Sequence, residues 1–222
     1  MKKLSVAIDG PAGAGKSSAS KIFAKQMGYT YLDTGAMYRA LTYEARRLGL
    51  ASDGAIIQMA RNIRMTVAPG ETGMQVFLDG RDVTGELRTP DVSSHVSYVS
   101  AIPEVREVMV DLQRKLSEAG GTVLDGRDIG TVVLPHADVK IFLTASPHTR
   151  AVRRYNEIRD KEPGVTVEEI EEDIRKRDLL DSTRKVAPLR PAADAVLLDN
   201  SGLTLEETAA EIARICREKA GI

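Results

Sequence analysis

Residues Gly10-Pro11-Ala12-Gly13-Ala14-Gly15-Lys16-Ser17 fit the pattern G-x-x-x-x-G-K-[ST], and they stand between an apolar run at 4–9 and a helical pattern at 16–27. That placement constrains the fold more than any other feature of the chain. A strand that ends in a glycine-rich turn and re-enters as a helix gathers backbone N–H groups around one concavity. The concavity stays open because no bulky side chain fills it. The helix start adds the positive end of its dipole. Lys16 brings a mobile cation to the β- and γ-phosphates of a bound nucleotide, and the Ser17 hydroxyl is placed to ligate Mg²⁺. In this strand–turn–helix context the loop implies binding of a nucleoside triphosphate, with Gly10, Pro11, Ala12, Gly13, Ala14, Gly15, Lys16, Ser17 and Ser18 as the contact set.

Strand and helix patterns then alternate. Strands are expected at 29–33, 122–125, 140–143 and 195–198, and helices at 36–48, 53–62, 167–180 and 205–219, with Gly28 and Gly49 closing the first two helices of the chain. Such alternation argues for an α/β fold in which a parallel sheet is flanked by helices, with ligands beyond the carboxyl ends of the strands. One stretch breaks the rule. Short β-like runs at 64–68, 75–78 and 81–83 are separated by Pro69-Gly70, Gly73 and Asp79-Gly80, the last a tight-hairpin signal. They predict a small antiparallel subdomain inserted at about 63–89. A second interruption, 147–164, carries Arg150, Arg153, Arg154, Arg159 and Lys161 on a helical pattern before Pro163-Gly164, and is expected to form a basic helical lid over the transferring phosphates. The organisation expected is a single domain of residues 1–222, with a core of 1–62, 90–146 and 165–222 around the insert and the lid. Glycine and proline flank both interruptions, so they are the expected moving parts.

Composition narrows the class without choosing the reaction. The chain has 222 residues, 42% of them hydrophobic, enough for one sizeable core. A net charge of −1 gives no reason to expect a nucleic-acid or membrane partner. The segment Met1-Lys2-Lys3-Leu4 leads straight into a strand, and no apolar run approaches bilayer length. The one cysteine, Cys216, sits in a helical pattern and is expected to be buried and apolar in a reducing cytoplasm. His95, His136 and His148 have no metal-ligand spacing and are expected to make local or surface hydrogen bonds. With no heptad or long apolar stripe, a monomer is expected.

The loop alone leaves a GTPase, a motor or transporter ATPase and a small-molecule kinase open. No Asn-Lys-x-Asp element is present to read guanine, and the chain is short for a large ATPase. Isolated arginines and acids at the ends of elements instead suit a second anionic substrate.

Three further blocks carry a resemblance. Leu32-Asp33-Thr34-Gly35-Ala36-Met37-Tyr38-Arg39, Leu124-Asp125-Gly126-Arg127-Asp128-Ile129-Gly130-Thr131, and Arg177-Asp178-Leu179-Leu180-Asp181-Ser182-Thr183-Arg184 with Ala187-Pro188-Leu189 follow the glycine loop in order. Together they resemble the bacterial cytidylate kinases, P-loop enzymes of the nucleoside monophosphate kinase family, over essentially the whole chain. Thr34 stands where some relatives carry serine, and both supply a hydroxyl.

The resemblance implies transfer of the γ-phosphoryl group of ATP to CMP or dCMP with Mg²⁺, in pyrimidine nucleotide metabolism, and assigns the β insert to the monophosphate side. The chemistry of the residues agrees. Two polyanions must meet, and Arg39, Arg127, Arg177 and Arg184 are the candidates to neutralise them, since a planar guanidinium can hold two phosphate oxygens at once. Asp125, after its strand, is placed to hold Mg²⁺ directly or through water. Cytosine needs an acceptor for its amine beside donors for its ring nitrogen and carbonyl. By resemblance Asp128 is that acceptor, Arg106 and Ser97 stand at the other edge, Asp181 contacts the sugar hydroxyls, and Thr34 helps hold the monophosphate. Phosphoryl transfer of this kind needs no covalent nucleophile. Lys16, Arg127, Arg177 and Asp125 form the expected catalytic set. Kinases for UMP, AMP, shikimate or dephospho-coenzyme A would keep the loop and change the base-reading set. A nucleotide sensor would lose Lys16 or the lid arginines.

Overall fold

The computed structural model describes residues 3–70, 73–160, 162 and 164–221. Lys161 and Pro163 of the expected lid lie outside the described residues. Contacts divide the chain into two compact units, one of residues 1–29 with 121–222 and one of 30–120.

The first unit begins with β1 (Ser5–Asp9) and α1 (Lys16–Met27) and continues with β6 (Thr122–Gly126), β7 (Val139–Thr144), α6 (Pro147–Ile158), α7 (Val167–Thr183), β8 (Val196–Asp199) and α8 (Leu205–Ala220). Its strands are parallel and stand in the order β6-β1-β7-β8. Covered on both faces, such strands read as continuous apolar runs, and Val6, Ala7, Ile8, Val123 and Leu124 are fully buried. The register pairs Asp9 with Gly126 on one side and with Phe142 on the other, so β1 and β6 end together and β7 runs two residues further. The segments leaving those ends carry the P-loop and the Asp125–Asp128 block. Helix α8 packs beside α1 and β7, with Ala209, Ile212 and Cys216 turned inward. Burial pushes the Cys216 thiol up to about 12. Helices α6 and α7 share a small apolar cluster of Ala151, Ile158 and Ile170.

The second unit contains β2 (Thr30–Asp33), α2 (Thr34–Arg47), α3 (Asp53–Asn62), β3 (Met65–Gly70), β4 (Gly73–Leu78), β5 (Arg81–Asp82), α4 (Pro90–Val99) and α5 (Pro103–Ser117). The three short strands form the expected antiparallel sheet in the order β3-β4-β5. Asp79 and Gly80 both have positive φ, 49° and 84°, as the tight turn between β4 and β5 requires. This sheet shares its core with the helices around it: Met65, Val76 and Leu78 pack with Met37 and Leu41 of α2, Ile56 of α3, Val96 of α4 and Met109 of α5. The compact body that holds the hairpin strands is therefore wider than the 63–89 segment expected from the sequence.

Two helices lie outside the expected elements. Both α4 and α5 have proline in the first turn, and Thr89 caps α4 by accepting from the Val92 N–H. Helix α2 starts at Thr34, two residues before the expected point, because Asp33 accepts from the Ala36 N–H. Among the described residues no helix is long and apolar enough to cross a membrane.

Candidate active site

The first unit carries the P-loop and the residues expected around it. Gly10 leaves β1 against β7 so closely that a Cβ on it would lie 1.9 Å from the Leu143 carbonyl oxygen. From there the loop climbs to Gly15 at the start of α1. Lys16 is buried, and its Nζ donates to the Pro11 carbonyl at 2.8 Å. Burial, reinforced by the neighbouring Arg127 guanidinium, holds this ammonium well below the ordinary lysine range. The Ser17 hydroxyl donates to Asp125 Oδ2 at 2.7 Å, so α1 and β6 bring together the two oxygen ligands expected for Mg²⁺. Two hard oxygen donors suit a magnesium ion that completes its shell with water and substrate phosphates. Among the described residues no cluster of three or more His, Cys, Asp or Glu forms an all-protein metal cage.

Beyond β6 the arginines and acids interlock. Arg127 Nε donates to Asp181 Oδ2 at 2.8 Å, and Arg184 Nη2 stands 3.6 Å from Asp128 Oδ1. Arg184 Nε also donates to the Ala187 carbonyl, which ties the chain after α7 back onto the same arginine. Burial and the nearby Arg127 lower the Arg177 pKa, and Asp181 and Asp178 pull it back up. Asp181, expected at the sugar, is thus engaged with Arg127 in this structure.

Asp9 is a residue the sequence reading does not single out. The last residue of β1, it is 3% exposed, and its two carboxylate oxygens accept from the Ile129 and Gly130 N–H groups at 2.7 Å each. Those N–H groups open a π-type turn, Ile129–Val133, in which Val133 N–H reaches back to the Asp128 carbonyl. Asp128 makes no side-chain cap on that turn. Asp9 does the capping from another strand. Its pKa is raised to about 6, chiefly by burial, with Asp128 adding to the rise while the two N–H groups and Lys16 oppose it.

The expected lid cations separate into different roles. Arg150 is 2% exposed and bonds inward rather than to solvent, so it is not a surface lid cation. Arg153 donates to the Asn200 carbonyl at 2.8 Å, and Asn200 Nδ2 donates to the Ala14 carbonyl at 3.0 Å. Arg154 pairs with Glu157, and Arg159 lies at the exposed end of α6.

The second unit carries the other expected ligands. Thr34 is buried at the start of α2, and Arg39 lies one turn further along the same helix. Arg106 is buried on α5 with its guanidinium 5.5 Å from the centre of the Tyr38 ring. Its Nη1 donates to the Ser100 carbonyl, and the Ser100 hydroxyl donates to the Ser97 carbonyl. The short link through Ser100 therefore places Arg106 and the exposed Ser97 on one corner, where α4 gives way to α5. Tyr38 and Ser100 escape the sequence reading, although Tyr38 stands inside the second motif block. Two of the histidines make local contacts: His95 Nδ1 lies 2.8 Å from the Asp91 carbonyl oxygen, and His148 Nδ1 lies 3.0 Å from Glu171.

Comparison with known proteins adds an independent line. The sequence profile of the family described as cytidylate kinase matches residues 6–218. A cytidylate kinase of Enterococcus faecalis is 49% identical, covering 99% of this chain and 98% of its own. One of Desulfitobacterium hafniense is 50% identical over 98% of this chain and 94% of that protein. Among solved structures, a shikimate kinase of Bacteroides thetaiotaomicron superposes with a TM-score of 0.51 at 13% identity, covering the whole of both chains, a likeness of fold alone.

Proposed function

The chain belongs to the cytidylate kinase family, and we infer from that membership and from its site that it transfers the γ-phosphoryl group of ATP to CMP or dCMP, giving ADP and CDP or dCDP. One observation carries the assignment of roles: Lys16, the Ser17–Asp125 pair and the Arg127–Asp181 pair all stand where β1 and β6 end.

The backbone N–H groups of Gly13 to Ser18 take the β-phosphate of ATP, and Lys16 exchanges its bond to Pro11 for the β- and γ-phosphates. Ser17 and Asp125 would hold Mg²⁺, which would supply charge withdrawal from the phosphates. Arg127 and Arg177 neutralise the oxygens of the moving phosphoryl group, and Arg184 serves the same anionic surface. A phosphate oxygen of CMP attacks in line, and the protein's part is positioning and charge. Thr34 and Arg39 hold the acceptor phosphate. Asp128 accepts from the cytosine amine, with Arg106 and Ser97 at the ring nitrogen and carbonyl, and Asp181 meets the sugar once Arg127 turns to phosphate. A monomer working on small molecules in the cytoplasm completes the reading. The net charge of −1 supports small-molecule over nucleic-acid or membrane partners, the single buried cysteine supports a reducing compartment, and the lack of a heptad or long apolar stripe supports the monomer.

The deciding experiment measures ADP release with MgATP against CMP, dCMP, UMP, AMP and shikimate. CMP and dCMP should give the highest kcat/KM. Faster turnover with AMP or shikimate would overturn the reading.

A further inference from the structure

A loop that turns its N–H groups inward to meet phosphate must turn carbonyls outward, and each buried carbonyl needs a donor. Three side chains meet that need here. Lys16 Nζ bonds to Pro11 O at 2.8 Å, Arg150 Nη1 to Ala12 O at 3.0 Å, and Asn200 Nδ2 to Ala14 O at 3.0 Å. Lys16 is committed to phosphate chemistry, and Asn200 is an amide from the β8–α8 loop. Arg150 does more than either.

Its guanidinium reaches three segments at once. Nε donates to the Ala145 carbonyl at the end of β7 at 3.0 Å, Nη1 to the P-loop, and Nη1 and Nη2 together grip the Asp178 carboxylate of α7 at 3.1 and 2.5 Å. The methylene stem lies beneath the loop as well, since a Cβ built on Gly13 would meet Arg150 Cβ at 3.4 Å. Asp178 adjoins Arg177, and Asp181, the partner of Arg127, stands one turn further along the same helix. A planar fork with five N–H donors can serve two carbonyls and a bidentate carboxylate in one rigid geometry, and an ammonium cannot.

We propose that Arg150 is a positioning residue for the phosphoryl donor: from behind the P-loop it fixes the outward carbonyl of Ala12, and through Asp178 it locks the loop in register with the α7 helix that carries Arg177 and Asp181. The proposal rests on the reading of the loop as the ATP site, and it does not depend on which acceptor is used. The N–H groups of the loop bind phosphate well only if their directions are set beforehand, and small misplacements of such groups cost up to about a hundredfold.

The test compares the full-length wild type with Arg150→Lys, Arg150→Met and Asp178→Asn. Equilibrium Kd for MgATP, KM for CMP, melting temperature, and the ¹⁵N amide shifts of Gly13 and Gly15 in nucleotide-free protein are measured well below each melting point. Arg150→Lys keeps a cation beside the half-buried Asp178 carboxylate, so it should stay folded. It should weaken MgATP binding about tenfold or more, leave KM for CMP within about twofold, and displace the Gly13 and Gly15 peaks. Folded Arg150 variants with wild-type MgATP affinity and unmoved glycine peaks would reduce Arg150 to an interior ion pair and overturn the proposal. Should both Arg150 variants fail to fold, Asp178→Asn decides, because it leaves the arginine in place and breaks only its lock to α7. Weaker MgATP binding with displaced Gly13 and Gly15 peaks then sustains the proposal, and unchanged values refute it. MgATP Kd reads the loop directly, so a wild type that binds MgATP and ignores CMP would refute the kinase assignment and leave this test standing.

Discussion

Replacing Asp9 by asparagine should change how the stability of the protein depends on pH, and the structure sets both the sign and the size. The carboxyl titrates near 6 in the folded chain against about 3.8 when exposed, because burial disfavours its charged form more than the Ile129 and Gly130 N–H groups and Lys16 favour it. Asp128 is the like charge facing it, and it pushes in the same direction as burial. Between those two pH values the folded state holds a proton that the unfolded chain has released. The contribution of Asp9 is therefore fully present below the unfolded pKa and is lost as pH rises through 6. A shift of roughly 2 units at about 1.36 kcal/mol each amounts to ~3 kcal/mol. Asp9→Asn keeps the shape and one acceptor but cannot titrate. Urea unfolding of both proteins, followed by circular dichroism from pH 4 to pH 6.5, isolates the Asp9 contribution, because titrations that Asp9 does not touch cancel in the difference and Lys16, which faces Asp9, loses its proton near 7, above that range. The stability of wild type relative to the variant should fall by about 2 kcal/mol between pH 4 and pH 6.5, the rest of the ~3 kcal/mol being lost already below pH 4. A difference that is flat, or that rises with pH, would mean that the two N–H donors and Lys16 keep the carboxylate ionised, and the argument from burial would fail.

Other outcomes follow from the same geometry. Lys16→Ala should cut kcat about a hundredfold or more with an unchanged circular dichroism spectrum, and near-normal turnover would remove the lysine from the transition state. Gly10→Ala puts a methyl group 1.9 Å from the Leu143 carbonyl oxygen, so the P-loop or β7 must shift. MgATP affinity should fall sharply, and a normal Kd by calorimetry would refute the close approach. Asp128→Asn should narrow the preference for CMP over UMP in kcat/KM, by an amount on the order of 1–3 kcal/mol, because an amide can donate to the uracil carbonyl. Arg39→Ala should depress both acceptors together. Equal losses on CMP and UMP with Asp128→Asn would make that carboxylate structural.

Local signals made most of the framework legible. The P-loop, α1 with Gly28 at its end, and the Asp79-Gly80 turn are each specified by a few adjacent residues, and α3 appears at the expected 53–62. Helix α4 carries a weaker signal: Val92, Val96 and Val99 give the right spacing, but Ser93, Ser94, His95 and Ser97 dilute it, and only the Thr89-Pro90 start marks the boundary. The capping of the Ile129–Val133 turn is not readable at all, because its cap comes from Asp9, 120 residues away. Arg150 shows the same limit from the other side. On the sequence it is one cation in a basic helical run. Only the packing of the P-loop, β7 and α7 around it turns it inward.

Cys216 gives the molecule a built-in chemical timer. It is the only cysteine in the sequence, it is 1% exposed beneath α8, and burial pushes its thiol up to about 12. At neutral pH almost no thiolate exists while the helix is seated, and alkylating reagents attack the thiolate. A reagent in excess therefore marks only those molecules in which α8 has lifted from α1 and the sheet, one mass increment per event. The rate of that increment reports how often this layer opens, without any engineered probe, and MgATP bound at the far end of α1 should slow it.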